Sequence, residues 1–230
     1  MTTSASLEMS GNCRHNLVCG IRQSAFTIIT VRHGWAYIYG VPPASSRFDE
    51  LVDHFAHDGI TLGNPPTGEV TRVSPVGDAI PSSREDIRQE CDASKVVHFN
   101  FYIAQSDNIV CSIGKTKPKI VGEAFDLTAK NEEESCRIIR SLAQLFSKRA
   151  EKGLAFGFVA DRYAELHQRF HWDDFFVGWK RKPPEWPIVW GCSEDFRKLA
   201  KVVPTDFYSR EQGPSHSILW KKTSDSAGSC

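Results

Sequence analysis

The chain has 230 residues, 28 Lys and Arg against 28 Asp and Glu, a formal charge of zero, and 40% hydrophobic residues. A chain of this length buries roughly 70% of its extended surface on folding, which is enough for one substantial core. Balanced charge argues against nucleic acid or an anionic membrane as the main partner, since both call for a broad positive field, and no apolar run approaches the ~20 residues of a membrane-spanning helix.

Residues 1–16 are rich in polar residues and lack the apolar centre of a secretory signal. The seven cysteines, Cys13, Cys19, Cys91, Cys111, Cys136, Cys192 and Cys230, are odd in number and form no C-x-x-C pair. That pattern predicts reduced thiols and a cytoplasmic location.

Residues 25–32 and 35–41 are rich in β-branched and aromatic side chains with only His33-Gly34 between them, which predicts a hairpin. Ser45 and Ser46 then precede Phe48, Leu51, Val52 and Phe55 at helical spacing, with Asp49 placed for a capping box and Gly59 as a stop, so a helix is predicted over 46–58. The stretch 61–93 carries Pro65, Pro66, Pro75 and Pro81 and reads as loop, with a short strand at 69–73 and a helical turn at 84–91.

Val97, Phe99, Phe101 and Ile103 alternate with polar residues, and strand patterns at 109–113 and 119–125 complete an antiparallel meander. A helix over 129–152 follows, with Glu132, Glu133 and Glu134 at its positive end and Ile138, Ile139, Leu142, Leu145 and Phe146 as its buried stripe. Further elements are a strand at 154–160, a helix at 162–170, a strand at 187–190, a helix capped by Ser193 and a strand at 215–221. The order predicts an α+β fold: one compact domain over 1–222, a mainly antiparallel sheet flanked by three to four helices, with a possible seam between sub-lobes inside 61–93 and a disordered polar tail at 223–230.

Arg32-His33-Gly34 after an apolar strand resembles the signature of the histidine phosphatase family. That resemblance implies an imidazole nucleophile at His33 and phosphate gripped by Arg32, with Arg84 and His216 as the family's second arginine and histidine. A His-Gly hairpin turn explains the same residues without chemistry. Cys192, before a predicted helix start, is a candidate nucleophile with His216 or His98 as base, and a buried inert thiol is the alternative reading. His167 and His171 at i, i+4 offer a weak metal pair, but Gln168 stands where a zinc protease needs Glu. His54 and His57 have no third ligand, and no cofactor is expected.

Residues 170–190 crowd aromatic rings into a segment broken by Gly178, Pro183, Pro184 and Pro187. The prolines rule out one long helix, so some rings are expected on a loop surface. Trp172, Trp179 and Trp186 are then candidate anchors for another protein, with Asp173, Asp174, Lys180 and Arg181 as rim charges. Small neutral α+β proteins with aromatic loops and no catalytic signature are similar in general character to bacterial immunity proteins, which implies a toxin or effector as the partner. A small hydrolase working through His33 or Cys192 is the alternative.

Overall fold

The structure is a computed structural model that describes residues 33–93, 96–104, 107–153, 155–161, 172, 187–193 and 208–221. Side chains at every second position explain one of its inner strands, β4 (Val96–Ala104): Val97, Phe99 and Phe101 point into a core, while His98, Asn100 and Tyr102 point the other way. The neighbouring strands β5 (Asp107–Lys117) and β6 (Ile120–Asp126) repeat the alternation, so 96–126 forms the predicted meander.

The hairpin expected around His33-Gly34 is not the local solution. His33 opens a strand, β1 (His33–Gly40), that lies between β6 and β7 (Phe156–Asp161) and pairs antiparallel with both. The register slips between His33 and Trp35, which makes Gly34 a bulge rather than a turn. The expected partner strand 25–32 lies outside the described residues.

The stretch 61–93 is more ordered than its prolines suggest. Val70–Val73 (β2) and Ala79–Ser82 (β3) form a hairpin that joins β4 through Arg72 and Phe99, and α2 (Arg84–Ala93) buries Ile87 and Cys91. Both strands extend the sheet at the edge beside β4. The described residues end on β8 (Val189–Ser193), β9 (Tyr208–Gln212) and β10 (His216–Lys221), and Ser193 belongs to a strand where a helix cap was expected. The predicted helices at 162–170 and beyond 193 lie outside the described residues.

The ten strands of the described residues form one antiparallel sheet, in the order β3-β2-β4-β5-β6-β1-β7-β8-β10-β9. Three helices are present among the described residues, and all pack on one face. The first, α1 (Ala44–His57), starts two residues earlier than predicted, with Pro43 at the cap and no side-chain cap bond. Asp49 does not form the expected box because Arg84 and Arg88 of α2 hold its carboxylate. The third, α3 (Glu132–Ala150), has a capping box between Asn131 and Glu134. No helix among the described residues is long and apolar enough to cross a membrane.

Two cores result. On the helix side, Phe48 and Phe55 of α1 meet Phe99 and Phe101 edge to face at centroid distances of 5.2 and 4.9 Å. The same side buries a carboxylate, Glu123 of β6, only 1% exposed and bonded by Arg47 of α1 and Arg149 of α3. On the opposite face a smaller cluster gathers Tyr39, Phe156, Phe158, Cys192, Leu219 and Trp172.

Candidate functional site

The strand register places the residues proposed for chemistry far apart. Tyr39, Phe156, Cys192 and Ser217 share one cross-strand row. His33 sits six residues from that row along β1, and His216 lies just beyond it in the other direction, so roughly 20 Å of strand separates them. Arg84 is on the helix side, its guanidinium held by Asp49 and Asp53 at 3.1 and 3.0 Å. The phosphate site implied by the histidine phosphatase resemblance is therefore not assembled, and Arg32 lies outside the described residues.

Cys192 and His216 are no closer to a working pair. Cys192 is 4% exposed among the rings of the smaller core, whereas His216 turns to the helix face and packs edge-on against Phe146 of α3. The sheet stands between thiol and imidazole. His98, the other candidate base, lies on β4, with its Nδ1 2.6 Å from the Ser112 hydroxyl. His167 and His171 lie outside the described residues, and among those described no group of three His, Cys, Asp or Glu side chains is placed to hold a metal ion.

A groove of about 680 Å³ runs along α3 beside the end of α1, lined by Asp58, Glu132, Cys136, Arg137, Arg140 and Ser141. Beside it stand a serine, a histidine and an aspartate, wired for structure. The Ser141 hydroxyl donates to Asp58, while Nε2–H of His54 donates to the Ser141 carbonyl at 2.8 Å. The imidazole is thus bonded to the backbone and not to the hydroxyl whose proton a hydrolase would remove.

Trp172 corrects the surface-anchor expectation. Its indole is 4% exposed, with its centroid 4.0 Å from that of Phe158, so it is a core ring of the smaller cluster. Burying an indole on a phenylalanine removes more apolar area from water than display at a rim. Asp173, Asp174, Trp179, Lys180, Arg181 and Trp186 lie outside the described residues. The chain enters that stretch at Trp172 on this face and leaves it at the buried Pro187, whose carbonyl accepts from the Tyr208 hydroxyl at 2.7 Å.

The same face, away from the three helices, carries a second surface feature. In β1 the sequence W-A-Y-I-Y sends Trp35, Tyr37 and Tyr39 to this face and Ala36 and Ile38 to the core. The rings stack along the strand at centroid distances of 6.3 and 6.5 Å, and Tyr37 leans on Phe158 at 4.8 Å. Next to them the residues are small: Tyr37 is opposite Ala124, which is opposite Ser112, and Tyr39 is opposite Gly122, which is opposite Gly114. Beyond the small residues rises a polar bank on β4, formed by His98 and Asn100.

The result is a shallow trough. Its floor is Ala124 and Ser112, closed at one end where the Tyr39 ring and the Thr116 methyl lie over Gly122, and its two banks, on β1 and β4, are three strand spacings or about 14 Å apart. The polar bank is rigid, because Asn100, 3% exposed, donates to Thr71 and accepts from Asn108, both at 2.9 Å, and Tyr102 bonds the same Thr71 hydroxyl. The aromatic bank ends at Asp126, directly opposite Trp35. Burial pushes the Tyr37 phenol up to about 12, and the Asp126 charge adds to the shift, so Tyr37 stays a neutral hydroxyl at physiological pH.

Sequence reading missed the trough, although its signals are visible: three rings on the polar phase of β1, and small residues at matching positions of β5 and β6. The missing piece was the pairing of β1 with β6, which brings residues about 90 apart in the chain side by side. No protein-family model, curated protein or solved structure matches the chain.

Proposed function

We propose that the chain is a noncatalytic protein-binding module that grips its partner with the trough between β1 and β4, and that it is of the immunity type, holding a toxin or effector. The observation that carries this reading is the trough itself: a rigid face with an aromatic bank, a floor of small residues and a hydrogen-bonded polar bank. Aromatic side chains beside small residues give a partner large contact area at low entropic cost, and satisfied polar groups around them set orientation. Two further observations support it. The candidate nucleophile Cys192 is sealed in a core, and the stretch bearing Trp179, Lys180, Arg181 and Trp186 leaves from Trp172, on the face that bears the trough.

The test is co-purification with the product of the adjacent gene, followed by titration of the purified pair. Ala124→Arg places a long side chain on the trough floor and should raise Kd at least a hundredfold, while Trp179→Ala and Trp186→Ala should each raise it about tenfold, within the range of interface hot spots. His33→Ala should bind as wild type. Unchanged affinity in Ala124→Arg and in both tryptophan variants would sink the proposal.

A further inference from the structure

The aromatic bank ends in a notch with its own chemistry. Trp35 and Asp126 are directly opposed residues of an antiparallel pair, so their side chains rise from the same face with Cβ atoms about 5 Å apart. Both are half-buried. One carboxylate oxygen is fixed: Oδ1 of Asp126 accepts from the Thr128 backbone N–H at 2.9 Å and from its hydroxyl at 2.6 Å. This turn at the end of β6 holds the carboxylate in place, and among the described residues nothing bonds Oδ2. Among the described residues no Lys, Arg or His nitrogen lies within salt-bridge distance of Asp126, whereas Glu50, Asp49, Asp53 and Glu90 on the helix side are all paired.

We propose that this notch accepts an arginine side chain of the protein partner, its guanidinium stacked on the Trp35 indole and hydrogen-bonded to Oδ2 of Asp126. The inference rests on the trough being a partner-binding face and names the chemistry read there. A cation over an indole is attracted by the ring's negative face, and a carboxylate at the ring edge supplies the counter-charge. The guanidinium fits better than an ammonium because it is planar, stacks on the ring and extends N–H groups sideways to the carboxylate. A nucleobase stacked on the same ring would bring its phosphate against Asp126, so the charge favours a basic peptide segment over nucleic acid. The floor beyond, Ala124 and Ser112, gives the flanking backbone room to lie close to the sheet.

The probes are a hexa-arginine peptide and its neutral citrulline counterpart, with the indole N–H resonance of Trp35 and the Asp126 amide as readouts. Asp126→Asn keeps the Oδ1 acceptor for Thr128 and with it the turn, while removing the charge. The arginine peptide should shift both resonances, the citrulline peptide should leave them in place, and Asp126→Asn should weaken binding at least tenfold. Equal shifts from both peptides, shifts confined to other parts of the protein, or unaltered affinity in Asp126→Asn would each overturn the inference. Titration of the adjacent gene's product separates the two levels. Loss of binding in Ala124→Arg with full retention in Asp126→Asn discards the arginine notch and keeps the trough, whereas retention in both discards both.

Discussion

Gly40 and Arg47 share a space that only a glycine leaves open: a Cβ on Gly40 would stand 2.1 Å from Nη1 of Arg47. The guanidinium lies against the end of β1 and reaches past it to Glu123, with Nε 3.2 Å from Oε1. Gly40→Ala should therefore move Arg47 off its carboxylate and lower stability by about 1–3 kcal/mol, the usual range for overpacking a core. Urea denaturation followed by circular dichroism checks this, and the loss should shrink when Arg47 is also replaced by Met.

Glu123 holds α1 and α3 to the sheet through one carboxylate. It accepts from Arg47 and Arg149, while Arg149 also donates to Glu50 at 2.8 Å and to the Arg47 carbonyl at 2.9 Å. Burial alone would lower the Arg149 pKa, but the facing carboxylates outweigh it and raise it, so the side chain stays charged. Glu123→Gln leaves two buried guanidinia short of counter-charge and should cost about 3–5 kcal/mol. The triple change Arg47→Met, Glu123→Leu, Arg149→Met should be near neutral or stabilising by the same reasoning, measured as the denaturation midpoint of each variant.

Local pattern made much of this architecture legible. The alternation in β4, β5 and β6 and the stripe Ile138, Leu142, Leu145 of α3 were readable because each buried position is set by its neighbours in sequence. The place of β1 was not, because Tyr37 meets Ala124 and Phe158 only through long-range pairing, and the local His-Gly signal favoured a turn. Glu123 shows the same limit: its inward position follows from the alternation of Val121 and Phe125, yet its partners come from α1 and α3. Trp172 looked like a loop residue because the prolines after it are visible in the sequence and the Phe158 that receives it is not.

His54 ties α1 to α3 in a way that depends on its staying neutral. Its Nε2–H donates to the Ser141 carbonyl, its Nδ1 accepts from Lys148 Nζ at 3.2 Å, Asp58 lies 3.8 Å away, and Arg149 adds to the positive field. Burial lowers its pKa, and Lys148 lowers it further. The unfolded chain thus takes up this proton at a higher pH than the folded one. The contribution is fully present above the unfolded value of about 6.5 and is lost as pH falls from there toward the folded pKa. Stability measured from pH 8 to pH 5 should decline in the wild type, and the decline should be smaller in His54→Gln.

Trp172 and Phe158 should behave as a core pair. Trp172→Ala removes a ring that is 4% exposed and should lower stability by about 3–5 kcal/mol, whereas Trp172→Phe should keep most of it. A double-mutant cycle with Phe158→Leu should give a coupling of about 0.5–1.5 kcal/mol if the rings meet as their 4.0 Å centroid distance indicates. Additive losses would mean that the indole does not rest on Phe158.

Thiol reactivity tests the placement of the cysteines. Burial pushes the Cys91 thiol up to about 12 and the fully buried Cys111 thiol well above its ordinary value, and Cys192 is 4% exposed. Cys136 is also raised by burial, but it is half-buried and opens onto the groove along α3. Alkylation requires a thiolate that the reagent can reach. With iodoacetamide at pH 8 and mass-spectrometric mapping, Cys136 should be the first of these four to be modified, and Cys91, Cys111 and Cys192 should react only when urea unfolds the chain. Early labelling of Cys192 in the native protein would contradict its place in the smaller core and return a thiol nucleophile to consideration.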